Sequence, residues 1–90
     1  MRESLIEKKV TKHAQSLGWL AYKFSSPSNR AVPDHLYIKN GITVYIEYKA
    51  PGKLPTKLQL EIHNKFKSHG VEVYVIDDVE QGGALFNAIK

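Results

Sequence analysis

Glu47 and Lys49 stand two residues apart in the run 42–49, which is rich in β-branched and aromatic residues. Alternate side chains of a strand share a face. Glu47 and Lys49 therefore point one way, and Val44, Ile46 and Tyr48 form a packing face on the other. The pair has a plain structural reading as an ion pair on an exposed strand. A second carboxylate gives it a chemical one. Asp34 follows Val32-Pro33 at the head of the run 34–39, and Asn40-Gly41 is a strong two-residue hairpin signal. The hairpin folds Asp34 back to the far end of the pair, roughly opposite Glu47 to Lys49. Two carboxylates brought together without a cation repel and shift each other's pKa. A divalent cation removes that cost, and the oxygen donors of Asp34 and Glu47 suit magnesium or manganese. The backbone carbonyl of Tyr48 is a natural further oxygen ligand.

Hydrolysis of a phosphodiester needs a nucleophilic water, neutralisation of charge on the phosphoryl oxygens and a stabilised leaving group. A cation held by Asp34 and Glu47 can acidify water and polarise the phosphate. Lys49 can orient or deprotonate the water and screen the developing negative charge. One reaction accounts for all three side chains.

The elements that must position them follow from periodicity and turn residues. Ile6, Val10, His13, Ala14 and Leu17 recur at helical spacing and predict a helix over 3–17, stopped by Gly18. A strand follows over 19–24, and the turn-forming composition of 25–30 reads as a loop. The runs 34–39 and 42–49 are antiparallel neighbours across the Asn40-Gly41 turn. A second helix is expected over 56–69, with Leu58, Ile62, Phe66 and His69 as its inward stripe. It crosses over to a strand at 71–76, parallel to a neighbour. Asp78 caps a last helix over 79–89, weakened by Gly82 and Gly83. The order αβββαβα describes one α/β domain over 1–90, a mixed central sheet flanked by helices.

Composition narrows the function classes. The chain has 90 residues and no cysteine, which excludes disulfides, thiolate nucleophiles and zinc-thiolate sites. Thirteen Lys and Arg against nine Asp and Glu leave a charge of +4, which permits an anionic partner such as nucleic acid without requiring one. No apolar run reaches the roughly 20 residues of a membrane span. The charged start Met1-Arg2-Glu3-Ser4 lacks the apolar core of a signal peptide, so a cytoplasmic location is expected. The spacing of His13, His35, His63 and His69 does not suggest a histidine metal site. His35, which alternates away from Asp34, reads as a surface residue or a DNA contact. Lys23, Ser25, Asn29, Arg30, Lys53 and Lys57 flank the proposed site and could contact phosphates, although solvation explains each one alone. Trp19 and the five tyrosines read as core or interface packing.

Asp34 with Glu47-Tyr48-Lys49 is the P-D…E-x-K pattern of the PD-(D/E)XK nucleases, a short pattern by itself. Its surroundings resemble the VRR-Nuc family (virus-type replication-repair nuclease). The likeness is carried by Ser26-Pro27-Ser28-Asn29-Arg30-Ala31-Val32-Pro33-Asp34, by Ile46-Glu47-Tyr48-Lys49-Ala50-Pro51-Gly52-Lys53 and by Gln59. It extends in register from Ile6-Glu7-Lys8 through Leu20-Ala21-Tyr22-Lys23-Phe24 to Glu72-Val73-Tyr74-Val75-Ile76-Asp77, nearly the whole chain. The αβββαβ order is the core of that superfamily, and the resemblance implies a magnesium- or manganese-dependent DNA endonuclease of phage-like, free-standing type.

It also implies two further roles. Glu7 matches the family's helical acidic residue, which assists at the metal; a plain exposed charge is its structural competitor, and Glu3, one turn away, is the alternative. Gln59 matches a glutamine expected near the scissile phosphate or attacking water, although Thr56-Lys57-Leu58-Gln59 also fits a capping box. Two positions depart from the pattern. Ala31 stands where family members usually carry glycine, and Tyr48 replaces the usual aliphatic residue between acid and lysine. With no attached recognition domain, specificity would come from substrate shape. A homodimer would present two active sites to a branched substrate, so resolution of four-way junctions is the preferred activity. The alternative is a noncatalytic DNA-binding module that keeps the fold without turnover, or a structural subunit needing a partner.

Overall fold

The hairpin is the centre of the molecule. In a computed structural model that describes residues 1–89, β2 (His35–Lys39) and β3 (Ile42–Tyr48) pair antiparallel, with His35 opposite Ile46 and Lys39 opposite Ile42. Asn40 at φ 50° and Gly41 at φ 78° make the turn, the left-handed pair that a two-residue type I′ hairpin requires. β1 (Leu20–Lys23) adds antiparallel to the free edge of β2. β4 (Val73–Ile76) adds parallel to β3, pairing Glu47 with Val75, so the sheet runs β1-β2-β3-β4.

Helices cover the two faces unequally. α1 (Glu3–Ser16) and α3 (Val79–Ala88) pack together on one face. That face carries the main core, in which Ile6, Val10 and Ala14 of α1 meet Tyr37, Val44, Ile46, Tyr48, Ile76 and Phe86. Ile6, Val10 and Ile46 are completely buried, and each such side chain contributes about 1.5–3 kcal/mol relative to exposure. Gly82 of α3 sits against Val10, which lets the two helices approach closely. α2 (Lys57–Ser68) lies on the opposite face, where Phe66 packs edge-on against Tyr45 with ring centroids 5.4 Å apart.

The order αβββαβα and the mixed sheet agree with the periodicity of the sequence, and element ends fall within two residues of the expected positions. Two expectations are corrected. Leu17 belongs to the α1 C-cap and is exposed rather than inward. On α2, Leu58 and His69 are exposed; the inward surface is Gln59, Ile62, His63 and Phe66, with His63 the buried residue. The stripe is rotated because α2 packs over β3 and β4 at one end of the sheet and leaves the hydrophobic Leu58 at its rim. His13 is half-buried on the α1 stripe, with its Nε2 2.8 Å from Asn87 Oδ1 of α3.

Candidate active site

The site is built where β2 begins and β3 ends. His35↔Ile46 is the last pair of the ladder, so Asp34 lies one step beyond it, opposite Glu47. Two interactions fix that end. The amide of Phe24 donates to the Asp34 carbonyl (3.0 Å), and the amide of Lys49 donates to the Ile76 carbonyl (2.9 Å). Backbone bonds to the outer neighbours thus hold both strands past their formal ends. Pro33, fully buried, enters β2 without an amide hydrogen to satisfy.

Glu47 projects to the α2 face and is mostly shielded, its side chain 12% exposed. Burial, and next the negative charge of Asp34, push its carboxyl up to about 7 against the opposing pull of Lys49. Shielding from water and the neighbouring Asp34 charge together disfavour the ionised form of Glu47. On that same face, His63 of α2 brings Nε2 to 3.6 Å from Glu47 Oε1, too far for a hydrogen bond. Burial, then the neighbouring Lys49 charge, lower the His63 pKa.

Glu7 reaches the same end of the sheet from α1. Its half-shielded carboxylate lies 2.8 Å from His35 Nε2 and 4.0 Å from Lys23 Nζ. Glu3, one turn earlier, is exposed, so the helix presents Glu7 to the sheet. His35 corrects its reading as a surface residue or DNA contact. It is 7% exposed, its Nδ1 lies 2.7 Å from Asp34 Oδ1, and its ring stands edge-on to Tyr48. Neither ring nitrogen is aligned with its carboxylate as a hydrogen bond, so these are short electrostatic contacts. Parity turns His35 to the other face of β2 from Asp34, yet the Asp34 carboxylate still reaches its ring. The face it joins, however, is that of Tyr37 and Ile46, under α1 rather than in solvent. Two signals in the sequence would have found both histidines: His35 shares parity with Tyr37, and His63 lies four residues after Gln59 on the same helix face.

Gln59 forms the capping box in full. Its Oε1 accepts from the Thr56 amide (2.9 Å), and its own amide donates to Thr56 Oγ1 (3.1 Å). Lys23, Ser25, Asn29, Arg30, Lys53 and Lys57 are all exposed, and Lys23 lies 4.0 Å from Glu7. Ala31, in the loop entering Asp34, adopts φ 64°, the left-handed backbone that glycine takes without strain.

Below the site, Tyr48 fills its unusual position with a polar partner. Its hydroxyl meets that of Tyr37 at 2.7 Å, and Tyr37 meets Thr11 Oγ1 of α1 at 2.7 Å. Burial raises the pKa of both phenols, so they act as neutral hydrogen-bonding groups.

The donor chemistry fits a hard cation better than zinc. Among the described residues no three His, Asp or Glu side chains converge closely enough to hold a metal alone. Magnesium does not need them, because it keeps several waters and is often bound through one or two carboxylates. Asp34 and Glu47 meet that requirement.

No protein-family model matches the chain. It is 40% identical over 86 residues to the protein named "Putative nuclease p44" of Acyrthosiphon pisum secondary endosymbiont phage 1, covering 94% of this chain and 92% of that one. A solved structure described as a VRR_NUC domain matches it with a TM-score of 0.88 at 26% identity, over 98% of this chain and 97% of the other. That likeness extends to the four-stranded mixed sheet with helices on both faces. On its sequence relative and its fold together, the chain belongs to the VRR-Nuc family.

Proposed function

We propose that this chain is a DNA endonuclease dependent on magnesium or manganese. The observation that carries the reading is the register that sets Asp34 opposite Glu47, with Lys49 two residues further on. Asp34, Glu47 and the Tyr48 carbonyl would hold the ion, with Glu7 approaching from α1. When bound, the ion supplies charge neutralisation at the phosphate and a more acidic water. Lys49 orients that water and places positive charge where the phosphoryl oxygens become more negative. Glu47, already shielded and beside the Asp34 charge, favours a cation over open water. Gln59 reaches the phosphate only with the amide group that its cap leaves over. Exposed Lys53, Lys57, Arg30, Asn29, Ser25 and Lys23 lie where the strand backbone would pass, and a positive excess of +4 suits it.

The finer reading is selectivity for branched DNA by a homodimer. On the α2 side of the sheet, the edge strand leaves Leu20 and Tyr22 exposed, and Leu54 and Leu58 are exposed in the segment before and at the start of α2. An apolar set of that kind supports a second copy, and a twofold pair of sites suits a junction with two strands to cut.

Cleavage of labelled four-way junction, flap and linear duplex DNA, with magnesium, manganese or EDTA, tests both levels. The expected result is paired, symmetric, metal-dependent cuts in the junction. Equal cutting of linear duplex would keep the nuclease and remove the resolvase. Salt-sensitive binding with no cutting under either ion would replace the enzyme with a DNA-binding module.

A further inference from the structure

The inference concerns His63 and rests on the metal-dependent reading above. His63 is the buried residue of α2, 9% exposed, in a helix whose charged side chains are all exposed. Its Nε2 is shut off from solvent and has no hydrogen-bond partner among the described residues. The carboxylate it faces is Glu47, at 3.6 Å. A buried polar nitrogen without a partner is uncommon, and such an atom in a native fold calls for an explanation.

Gln59, one turn earlier on the same face, does not supply Glu47 with a partner through its oxygen, which the Thr56 amide already holds. Lys49 lies on the Glu47 side of β3 and is drawn toward the same carboxylate by charge. His63 is therefore the side chain placed behind Glu47, on the helix side rather than the open side. The arrangement has a counterpart across the sheet. There the buried ring of His35 stands against the carboxylates of Asp34 and Glu7. Each proposed metal-binding carboxylate thus has a buried imidazole beside it.

We propose that His63 is a positioning residue that holds the Glu47 carboxylate toward Asp34 when a divalent cation binds. A closing movement of well under 1 Å brings Nε2 into hydrogen-bond range of Oε1. That would leave the other carboxylate oxygen free for the ion. Outer partners of this kind fix the orientation of ligating carboxylates, and their loss weakens metal binding by about 10- to 100-fold.

The test is calorimetric titration of magnesium and manganese into the intact chain and into His63→Leu, His63→Gln and Glu47→Gln. His63→Leu is expected to weaken binding at least about tenfold, and His63→Gln, which keeps a donor near the Nε2 position, to recover most of it. With DNA, the leucine variant should lose kcat at saturating substrate while KM for DNA stays within about twofold. A wild-type measurement guards against a variant that fails to fold. The imidazole nitrogen NMR signals of His63 should move on adding magnesium to the wild-type chain, and stay fixed in Glu47→Gln. Binding by His63→Leu equal to wild type, or His63 signals that ignore magnesium while the ion binds, overturns the role of His63 alone. Failure of the wild type to bind either ion overturns the metal-dependent reading itself, and this inference with it.

Discussion

The hydroxyls of Tyr37 and Tyr48 meet at 2.7 Å beneath the site, and Tyr37 is the middle member of a chain whose other end is Thr11. The chain ties α1 to β2 and β3 in an otherwise apolar core. Tyr37→Phe removes both of these hydrogen bonds, whereas Tyr48→Phe removes one and leaves Tyr37 paired with Thr11. Losing a net hydrogen bond costs about 0.5–1.5 kcal/mol, and an abandoned buried group about 1–3 kcal/mol. Urea unfolding should therefore rank Tyr37→Phe as the more damaging change. The reverse order would show that the chain is not a stabilising unit.

Ala31→Gly should stabilise the chain. An L-residue in left-handed backbone carries roughly 1–2 kcal/mol of strain, while glycine loses part of that gain through its greater freedom unfolded. The net expectation is a gain on the order of 0.5–1 kcal/mol, visible as a higher urea midpoint with an unchanged slope. A loss would mean that the Ala31 methyl group makes a contact worth more than the strain.

Gly82→Ala should do the opposite, although alanine is the better helix former by about 1 kcal/mol. A Cβ there would lie 2.5 and 2.8 Å from the two methyl groups of Val10, and overpacking of this kind costs about 1–3 kcal/mol. Val10→Ala in the same chain should relieve the clash, giving the double variant less loss than the two single losses summed. Simple additivity would place the two sites out of contact.

Much of this was legible beforehand, for physical reasons that can be named. Strand alternation places Glu47 apart from Tyr48, and the Asn40-Gly41 turn admits one register, so Asp34 and Glu47 could be brought together on paper. The capping box at Thr56 and Gln59 is a local pattern and appeared as written. Leu58 and His69 were placed inward because helical spacing gives a face but not its rotation against the sheet. His35 failed for a related reason. Parity says only that it leaves the Asp34 face, and whether the other side holds water or α1 depends on where a distant helix docks. The tight fit of Gly82 on Val10 joins residues 72 positions apart in sequence, and no local pattern announces it.

The raised Glu47 carboxyl gives a signed pH dependence. A group whose pKa rises from an ordinary carboxylate value to about 7 on folding binds a proton more tightly in the native state. Its contribution is fully present below the unfolded value, near 4.5, and is lost as pH rises through 7. In EDTA, Glu47→Gln, which carries no such charge, should therefore gain stability relative to wild type between pH 5 and pH 8. Thermal unfolding of both chains across that range checks it, and a constant difference would mean that Glu47 titrates normally.

The central claim is that Asp34, Glu47 and Lys49 form one cation-dependent site for cutting DNA. Single-turnover cleavage by wild type, Asp34→Asn, Glu47→Gln and Lys49→Ala, in manganese and in EDTA, tests it most directly. The account predicts cutting by wild type in manganese alone and a rate loss of at least about 100-fold in each variant, with DNA binding by Lys49→Ala little changed. Cleavage that persists in EDTA, or that survives Glu47→Gln and Lys49→Ala at the wild-type rate, would contradict it.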